Sequence, residues 1–117
     1  MVDEQRVRAW VEGYRRAWES NDKDEIGGLF AADATYYPRP YEQPWKGREE
    51  IVSGWLRNRD GPGDTTFEWQ PVSIGADVAV IRGTTAYRSG TFSNLWVIRF
   101  DPDGRATEFT EWWMKHA

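Results

Sequence analysis

The sequence predicts an α+β fold, with helices in the first half of the chain and an antiparallel meander of strands in the second half. Apolar residues recur at helical spacing in the first half of the chain, whereas alternating and β-branched residues dominate the second half. Three short breaks divide that second half and are typical of hairpin turns. They are Gly75-Ala76-Asp77, Ser89-Gly90 and Asp101-Pro102-Asp103-Gly104.

The first helix carries an apolar stripe of the kind found on helices that bury one face. The stripe consists of Val7, Trp10, Val11, Tyr14, Ala17 and Trp18. A polar break at Asn21 and Asp22 ends the pattern, and Asp22 with Glu25 resembles a capping box that starts a short second helix. Gly27-Gly28 weakens this helix by about 1 kcal/mol per residue relative to Ala. The second helix is therefore either closely packed or marginal.

A strand entered through residues 32–35 and a proline-rich loop come next. The loop spans Tyr37 to Lys46, and its three prolines exclude a regular helix. A third helix, opened by residues 45–51, is predicted from about Arg48 to Asn58. Its inward residues are Ile51, Val52, Trp55 and Leu56. The run Asp60-Gly61-Pro62-Gly63 ends it.

Four long strands complete the prediction. They are Thr65–Ile74, Val78–Arg88, Thr91–Phe100 and Arg105–Met114. Proline cannot donate a hydrogen bond within a sheet, so Pro71 predicts an edge strand or a bulge in the first of them.

Length and composition exclude several classes of protein. The 117 residues are predicted to form one domain over residues 1–117. Acidic and basic residues mix along the chain, with a net charge of −4, so no basic block indicates nucleic-acid binding. With no Cys and one His, we expect neither a metal site nor a cofactor. The absence of Cys suits a cytoplasmic protein. The N-terminus shows no signal-peptide pattern, and no apolar run approaches the length that spans a membrane.

Eight Trp residues make the chain unusually rich in large aromatic side chains. They are Trp10, Trp18, Trp45, Trp55, Trp69, Trp96, Trp112 and Trp113. Trp is seldom completely buried, and rigid aromatic walls are typical of pockets for flat apolar ligands. An aromatic core without a cavity explains the same composition, so both interpretations stay open.

Two segments carry a family resemblance, residues 14–37 (YRRAWESNDKDEIGGLFAADATYY) and residues 45–51 (WKGREEI). With the strands that follow, they resemble the nuclear transport factor 2-like superfamily. Its members include ketosteroid isomerases, SnoaL-type polyketide cyclases and limonene epoxide hydrolases. The resemblance covers nearly the whole chain and implies a single SnoaL-like domain, a cone in which three N-terminal helices pack on a curved antiparallel or mixed sheet. It does not specify the reaction, because one fold hosts many functions.

Glu111 is the leading candidate for chemistry. Strand alternation places Phe109, Glu111 and Trp113 on one face, which the resemblance turns into the cone. Apolar surroundings would raise the pKa of the Glu111 carboxyl toward the range of a general acid or base. A Glu paired with an Arg at the mouth of the cone, with no chemical role, fits the same pattern.

The resemblance also suggests partners for Glu111. The run Phe109-Thr110-Glu111-Trp112 looks like the catalytic-acid segment of epoxide hydrolases, and their Arg-x-Asp corresponds to Arg82-Gly83-Thr84. Because Thr84 replaces the Asp, epoxide opening is doubtful. An Arg82–Glu111 pair would lower the pKa of Glu111 and oppose the effect of burial.

Comparison with ketosteroid isomerases argues against steroid isomerase activity. Tyr14 corresponds to their oxyanion-hole Tyr, whereas Pro38 and Trp96 stand where they carry carboxylates. Tyr14 can hydrogen-bond a carbonyl but cannot move a proton between carbon atoms. We therefore expect no steroid isomerisation, and a purely structural role for Tyr14 on the helix stripe is an alternative.

The remaining candidates would bind the ligand rather than react with it. They are Trp18, Tyr37, Trp45, Trp55, Asn94, Trp96, Phe109 and Trp113. Tyr37 and Trp45 flank the proline-rich loop and could cover the pocket, and Asn94 shares the cone face of its strand with Trp96. We expect one main pocket that combines several of these residues with Tyr14, Arg82 and Glu111. His116 is expected to be solvated.

These observations predict binding of an apolar, aromatic or polycyclic small molecule. Catalysis, if present, would be cofactor-free acid/base chemistry of the cyclase, isomerase or dehydratase kind, with Glu111 as the proton-transfer residue. Alternatives are a non-catalytic ligand-binding protein and a protein–protein interaction module. We also expect a homodimer through the outer sheet face, because its apolar residues need cover. They are Leu95, Val97, Trp112 and Met114.

Overall fold

The computed structural model describes residues 2–117 and contains three helices and six strands. The helices are α1 (Glu4–Ser20), α2 (Lys23–Gly28) and α3 (Arg48–Arg57). The strands are β1 (Phe30–Tyr37), β2 (Trp45–Lys46), β3 (Thr65–Ile74), β4 (Val78–Tyr87), β5 (Gly90–Phe100) and β6 (Ala106–Lys115). The α+β class is therefore confirmed.

All six strands form one mixed sheet in the order β2-β1-β6-β5-β4-β3. Strands β3 to β6 form an antiparallel meander, and β1 pairs with β6 in parallel. The parallel contact returns the N-terminal part of the chain to the last strand, so β6 lies in the middle of the sheet. Side chains of β5 and β6 that face the helices consequently have neighbours on every side.

Helix α1 is bounded by well-formed caps. The Asp3 side chain accepts a hydrogen bond from the backbone N–H of Arg6 (2.9 Å), and Asn21 ends the helix in the left-handed region (φ 53°). Asn is one of the few residues besides Gly that adopt this conformation readily. Most of the predicted stripe is buried, and Trp18 at its end is half-buried.

Helix α2 has only six residues and is the shortest of the three described helices. Asp22 caps it by accepting from the N–H groups of Asp24 (2.8 Å) and Glu25 (3.0 Å). The reciprocal half of the capping box is replaced, because the N–H of Asp22 donates to Ser20 Oγ (3.1 Å). Two of the three predicted helices thus extend beyond two turns.

The first two strands differ from the sequence prediction. Strand β1 begins at Phe30, so residues 32–35 lie within it, next to an irregularity in its pairing with β6. Trp45 and Lys46 do not open the third helix but form β2, which pairs with β1. The apolar pattern at Trp45 is therefore that of a strand residue packed beside Tyr36 (ring centroids 4.8 Å apart).

The long strands follow the predicted bounds to within two residues, and Pro71 lies where predicted. Strand β3 is an edge strand, and its register with β4 shifts between Pro71 and Ser73. At an edge or a bulge, the N–H group that Pro71 lacks is not needed for a hydrogen bond to a neighbouring strand. No helix within residues 2–117 is long and apolar enough to cross a membrane.

The core lies between the helices and the inner face of the sheet. It is dominated by aromatic rings, among them Trp10, Tyr14, Phe30, Trp96 and Phe109. Trp10 packs edge-on against Phe30 and its indole N–H donates to the backbone oxygen of Leu29 (2.9 Å). The buried Trp thus has the polar partner that its N–H requires.

Candidate functional site

A cavity of about 560 Å³ opens between helices α1 and α3 and the inner face of β4, β5 and β6. It gathers many of the predicted site residues, namely Tyr14, Trp18, Trp55, Asn94, Trp96, Glu111 and Trp113. Trp96 and Glu111 are direct cross-strand partners, so alternation brings both to the same face. The size of the cavity is within the usual range for small-molecule pockets.

Glu111 is held in this cavity by uncharged hydrogen-bond donors. Trp96 Nε1 donates to Glu111 Oε1 (2.9 Å), and Asn94 Nδ2 lies 3.2 Å from each carboxylate oxygen. Thr85 Oγ1 donates to Asn94 Oδ1 (2.7 Å), which fixes the amide so that its NH₂ group faces the carboxylate. Thr85 and Asn94 are themselves buried.

The environment makes Glu111 titrate near neutral pH. Burial raises the pKa of its carboxyl from 4.5 to about 7, and the hydrogen bonds from Asn94 and Trp96 oppose the rise. No described Lys, Arg or His side chain forms an ion pair with it. The carboxyl can therefore give and accept a proton at physiological pH, which a general acid or base requires.

A pair of tyrosines lies beside the carboxyl. The hydroxyl groups of Tyr14 and Tyr36 are 2.8 Å apart, and both residues are buried. Burial raises the pKa of each hydroxyl, and the nearby Glu111 carboxylate adds to the effect. One hydroxyl donates to the other, which leaves one O–H without an acceptor among the described side chains. The pair can thus donate a hydrogen bond to a ligand oxygen.

Arg82 does not belong to this cavity, contrary to the sequence prediction. It lies opposite Leu95 of β5 and Gln70 of β3, with its side chain exposed, whereas its neighbour Ile81 is buried. Because successive residues of a strand point to opposite faces, Arg82 is separated from Glu111 by the sheet itself. An Arg82–Glu111 pair is excluded, and burial determines the pKa of Glu111.

The outer face of the sheet carries a larger recess, of about 900 Å³. Arg82, Leu95, Trp112 and Met114 border it, together with Tyr41 of the proline-rich loop. The expectation of one main pocket around Glu111 is therefore corrected, since the larger recess is on the other side.

Three predicted ligand-binding residues lie behind the cavity wall or beside it. Phe109 is fully buried and stacks on Tyr36 (4.6 Å between centroids). Trp45 stacks on the other side of the same tyrosine, and Tyr37 pairs in register with Thr110. Phe109 and Trp45 support Tyr36, and none of the three residues lines the cavity. Tyr37 and Trp45 were expected to cover the pocket because they flank the proline-rich loop, and Phe109 was expected to line it because it shares a strand face with Glu111.

The loop reaches the cavity through a residue that the sequence did not single out. Arg39 lines the cavity, and its guanidinium lies 5.1 Å from the centroid of the Trp113 ring at the rim. Trp113 is 42% exposed and borders both the inner cavity and the outer recess. Strand alternation with Phe109 and Glu111 indicated the position of Trp113, whereas the contact of Arg39 depends on how the loop folds back.

Asp60 is a second carboxylate at the cavity wall. Its Oδ2 accepts hydrogen bonds from Trp18 Nε1 (2.7 Å) and Tyr87 Oη (3.4 Å). Burial raises the pKa of Tyr87 to about 12, and Asp60 contributes further to that rise. In the sequence Asp60 marks only the end of a helix, so local pattern gave no signal for this contact.

The groups that line the cavity can exchange protons with a ligand, and aromatic side chains form much of the cavity wall. Among residues 2–117, no group of three or more His, Cys, Asp and Glu side chains is placed to hold a metal ion. The reactive groups are the Glu111 carboxyl and the Tyr14–Tyr36 pair, with Asp60 at a separate part of the wall.

A family model described as a SnoaL-like domain matches residues 7–112. No curated protein matches the chain in sequence. Solved structures show the same fold, among them an NTF-2 like protein of unknown function from Burkholderia xenovorans LB400. It is 14% identical, with a TM-score of 0.77, and the match covers 97% of this chain and 87% of that one.

Two further structures have functional names. A putative ketosteroid isomerase from Kribbella flavida DSM 17836 is 17% identical, with a TM-score of 0.74 over 97% of this chain and 81% of that one. SalBIII, described as an epoxide hydrolase/cyclase-like enzyme in pyran ring formation in the polyether salinomycin, is 19% identical. Its TM-score is 0.76, over 97% of this chain and 95% of that one. At these identities the likeness shows the fold alone.

Proposed function

Because the chain belongs to the SnoaL-like domain family, we propose that it binds an apolar, aromatic or polycyclic small molecule in the inner cavity and transfers a proton on it. Glu111 is the proton-transfer residue and no cofactor takes part. One observation carries this proposal, a carboxyl with a pKa of about 7 that lines a cavity and is held only by uncharged donors. A carboxyl with no chemical role would have little reason to lie in apolar surroundings.

The surrounding groups divide the work. Asn94 and Trp96 hold the carboxylate in one orientation without supplying charge, so the carboxyl still takes up a proton near neutral pH. The free O–H of the Tyr14–Tyr36 pair donates to a ligand oxygen and stabilises negative charge as it develops there. Proton removal at a carbon next to a carbonyl needs these two functions together.

The reaction class follows from these groups and from the named structural neighbours. Cyclisation, isomerisation and dehydration each need a proton moved under a stabilised oxyanion or enol. The names of the two neighbours, a putative ketosteroid isomerase and an epoxide hydrolase/cyclase-like enzyme, agree with such chemistry. We exclude ketosteroid isomerisation from the proposal, because Pro38 and Trp96 stand where the resemblance implies the two isomerase carboxylates.

Ligand binding without catalysis is the second candidate. It is favoured by the number of contacts on Glu111, since both carboxylate oxygens already accept hydrogen bonds from Asn94. In that case Glu111 would orient a polar group of the ligand and no proton would move to carbon.

A test needs no knowledge of the natural substrate. 2-Tetralone, a fused-ring ketone, exchanges the hydrogens next to its carbonyl for deuterium in D₂O, and NMR follows the loss of their signals. We expect the protein to accelerate exchange and Glu111→Gln, which keeps the shape but not the base, to abolish the acceleration. Binding of 2-tetralone with no acceleration supports the second candidate, and absence of binding contradicts both.

We also propose a homodimer through the outer sheet face. Trp112 is 51% exposed and Met114 71% exposed, beside Leu95. Monomers rarely leave adjacent large apolar side chains open to water. A twofold contact would cover the recess bordered by these residues, and the surface would be complementary to itself.

A further inference from the structure

We propose that Asp60 recognises the ligand, by accepting a hydrogen bond from a hydroxyl or ammonium group at the end of the molecule away from Glu111. The inference rests on the proposed binding function and defines the class of ligand more closely. The ligand would have an apolar aromatic body, an oxygen at the Glu111 end and a hydrogen-bond donor at the Asp60 end.

The first observation is the state of the Asp60 carboxylate. Oδ2 accepts from Trp18 and Tyr87, and the backbone oxygen of Asp60 accepts from Asn21 Nδ2 (3.0 Å). Oδ1 accepts no hydrogen bond from any residue in the part of the chain that the structure describes. The side chain is thus fixed in place while half of its accepting capacity stays open to a ligand.

The second observation is that no cationic side chain within residues 2–117 lies within ion-pair distance of this carboxylate. Asp60 forms no ion pair with a Lys, Arg or His side chain there. Two arginines line the same cavity but are engaged elsewhere. Arg39 pairs with Glu42 (3.1 Å), and Arg59 donates to the backbone oxygen of Leu56 (3.4 Å). A ligand with a hydrogen-bond donor can therefore supply the partner that Asp60 Oδ1 lacks among these residues.

The third observation is the position of Tyr87 relative to the two acids. Its hydroxyl donates to Asp60, and the charges of both Asp60 and Glu111 act on it. Tyr87, Asp60 and Glu111 all line the cavity, and β4 carries Tyr87 while β6 carries Glu111. The two carboxylates therefore belong to one binding space, in which a single ligand can reach both.

The test compares naphthalenes that differ only in the group at the second ring. The probes are 2,6-dihydroxynaphthalene, 6-methoxy-2-naphthol and 6-(aminomethyl)-2-naphthol, titrated at pH 8 and followed by quenching of Trp fluorescence. The methoxy compound has the same body with a single hydroxyl, so it cannot place a hydroxyl at the Glu111 end and give a donor to Asp60 at the same time. We expect the two donor compounds to bind at least about tenfold tighter, as for one hydrogen bond to a charged acceptor.

Asp60→Asn is the matched variant, because its side-chain oxygen still accepts from Trp18 while its NH₂ group replaces the free acceptor. We expect it to bind the methoxy compound as the wild type does and to lose the preference for the donors. Trp18→Phe replaces Asp60→Asn if that variant does not fold. It keeps an aromatic ring but removes the N–H that holds Asp60 Oδ2. The carboxylate is then no longer fixed in place, and the preference for the donor compounds should fall. A tighter fit for the aminomethyl compound than for the diol would support the proposal and identify ammonium as the group recognised.

Two results would overturn the proposal for Asp60 and leave the proposed function standing. They are equal binding of all three probes by the wild type, and a preference for donors that persists in Asp60→Asn. Failure of all three probes to bind the wild type would instead contradict the proposed function, and the role of Asp60 would fall with it.

Discussion

Replacing Glu111 by Gln should stabilise the protein at high pH, although it removes a residue from the proposed active site. In the unfolded chain the carboxyl has its ordinary pKa of 4.5, and in the folded protein the pKa is about 7. The folded state therefore binds more protons between these values. The stability that this group contributes to the wild type is fully present below pH 4.5 and is lost as the pH rises through 7.

The size of the effect follows from the two pKa values. Integrating the proton uptake of this one group from pH 5 to pH 8 gives a loss of about 2.5 kcal/mol for the wild type. Gln is neutral at every pH and resembles the protonated carboxyl in shape. The difference in the free energy of unfolding, variant minus wild type, should therefore grow by about 2.5 kcal/mol between pH 5 and pH 8.

Urea unfolding at pH 5, 6, 7 and 8, followed by Trp fluorescence, measures this difference. The comparison with the wild type cancels the titration of all other groups. Glu68→Gln makes the same chemical change at an exposed position of β3 and is the control variant, measured at the same four pH values. A constant difference between Glu111→Gln and the wild type would refute the raised pKa, and with it the basis of the proposed chemistry.

Four further predictions concern the site, the outer face and the core. Tyr14→Phe should slow 2-tetralone exchange by about 10² because it removes one hydroxyl of the pair, with binding nearly unchanged by fluorescence titration. Trp112→Glu should turn a dimer into a monomer in sedimentation at micromolar concentration, and a wild-type monomer would contradict the interface. Gly54→Ala should destabilise by about 1–3 kcal/mol in urea unfolding, since its methyl group would press on the Trp45 indole. No absorbance change of a conjugated enone should appear with a β,γ-unsaturated ketosteroid, and one lost in Glu111→Gln would disprove this.

The sequence was most informative where a local pattern has a single structural solution. Strand alternation with turn residues between the strands placed β3 to β6, because each break has few alternatives. The helix stripe located Tyr14 and Trp18 on the buried face for the same reason. Alternation on β6 grouped Glu111 with Phe109 and Trp113, the family resemblance turned that face inward, and the structure has Glu111 at the inner cavity.

The sequence predictions were wrong or incomplete where contacts between distant segments determine a residue's position. Trp45 is a strand residue because β1 is available as its partner, which local spacing does not show. Arg82 was placed by resemblance against the alternation of its own strand, in which the apolar Ile81 marks the buried face. Asp60 acquires its role from Trp18 and Tyr87, which lie 42 and 27 residues away.

The pH dependence of 2-tetralone exchange tests most directly whether Glu111 transfers the proton. A base must be deprotonated to accept a proton, so the accelerated rate should rise with an inflection near pH 7 and level off above it. Glu111→Gln should show only the uncatalysed rate across the range. A rate without an inflection near pH 7, or an equal profile in Glu111→Gln, would contradict the account.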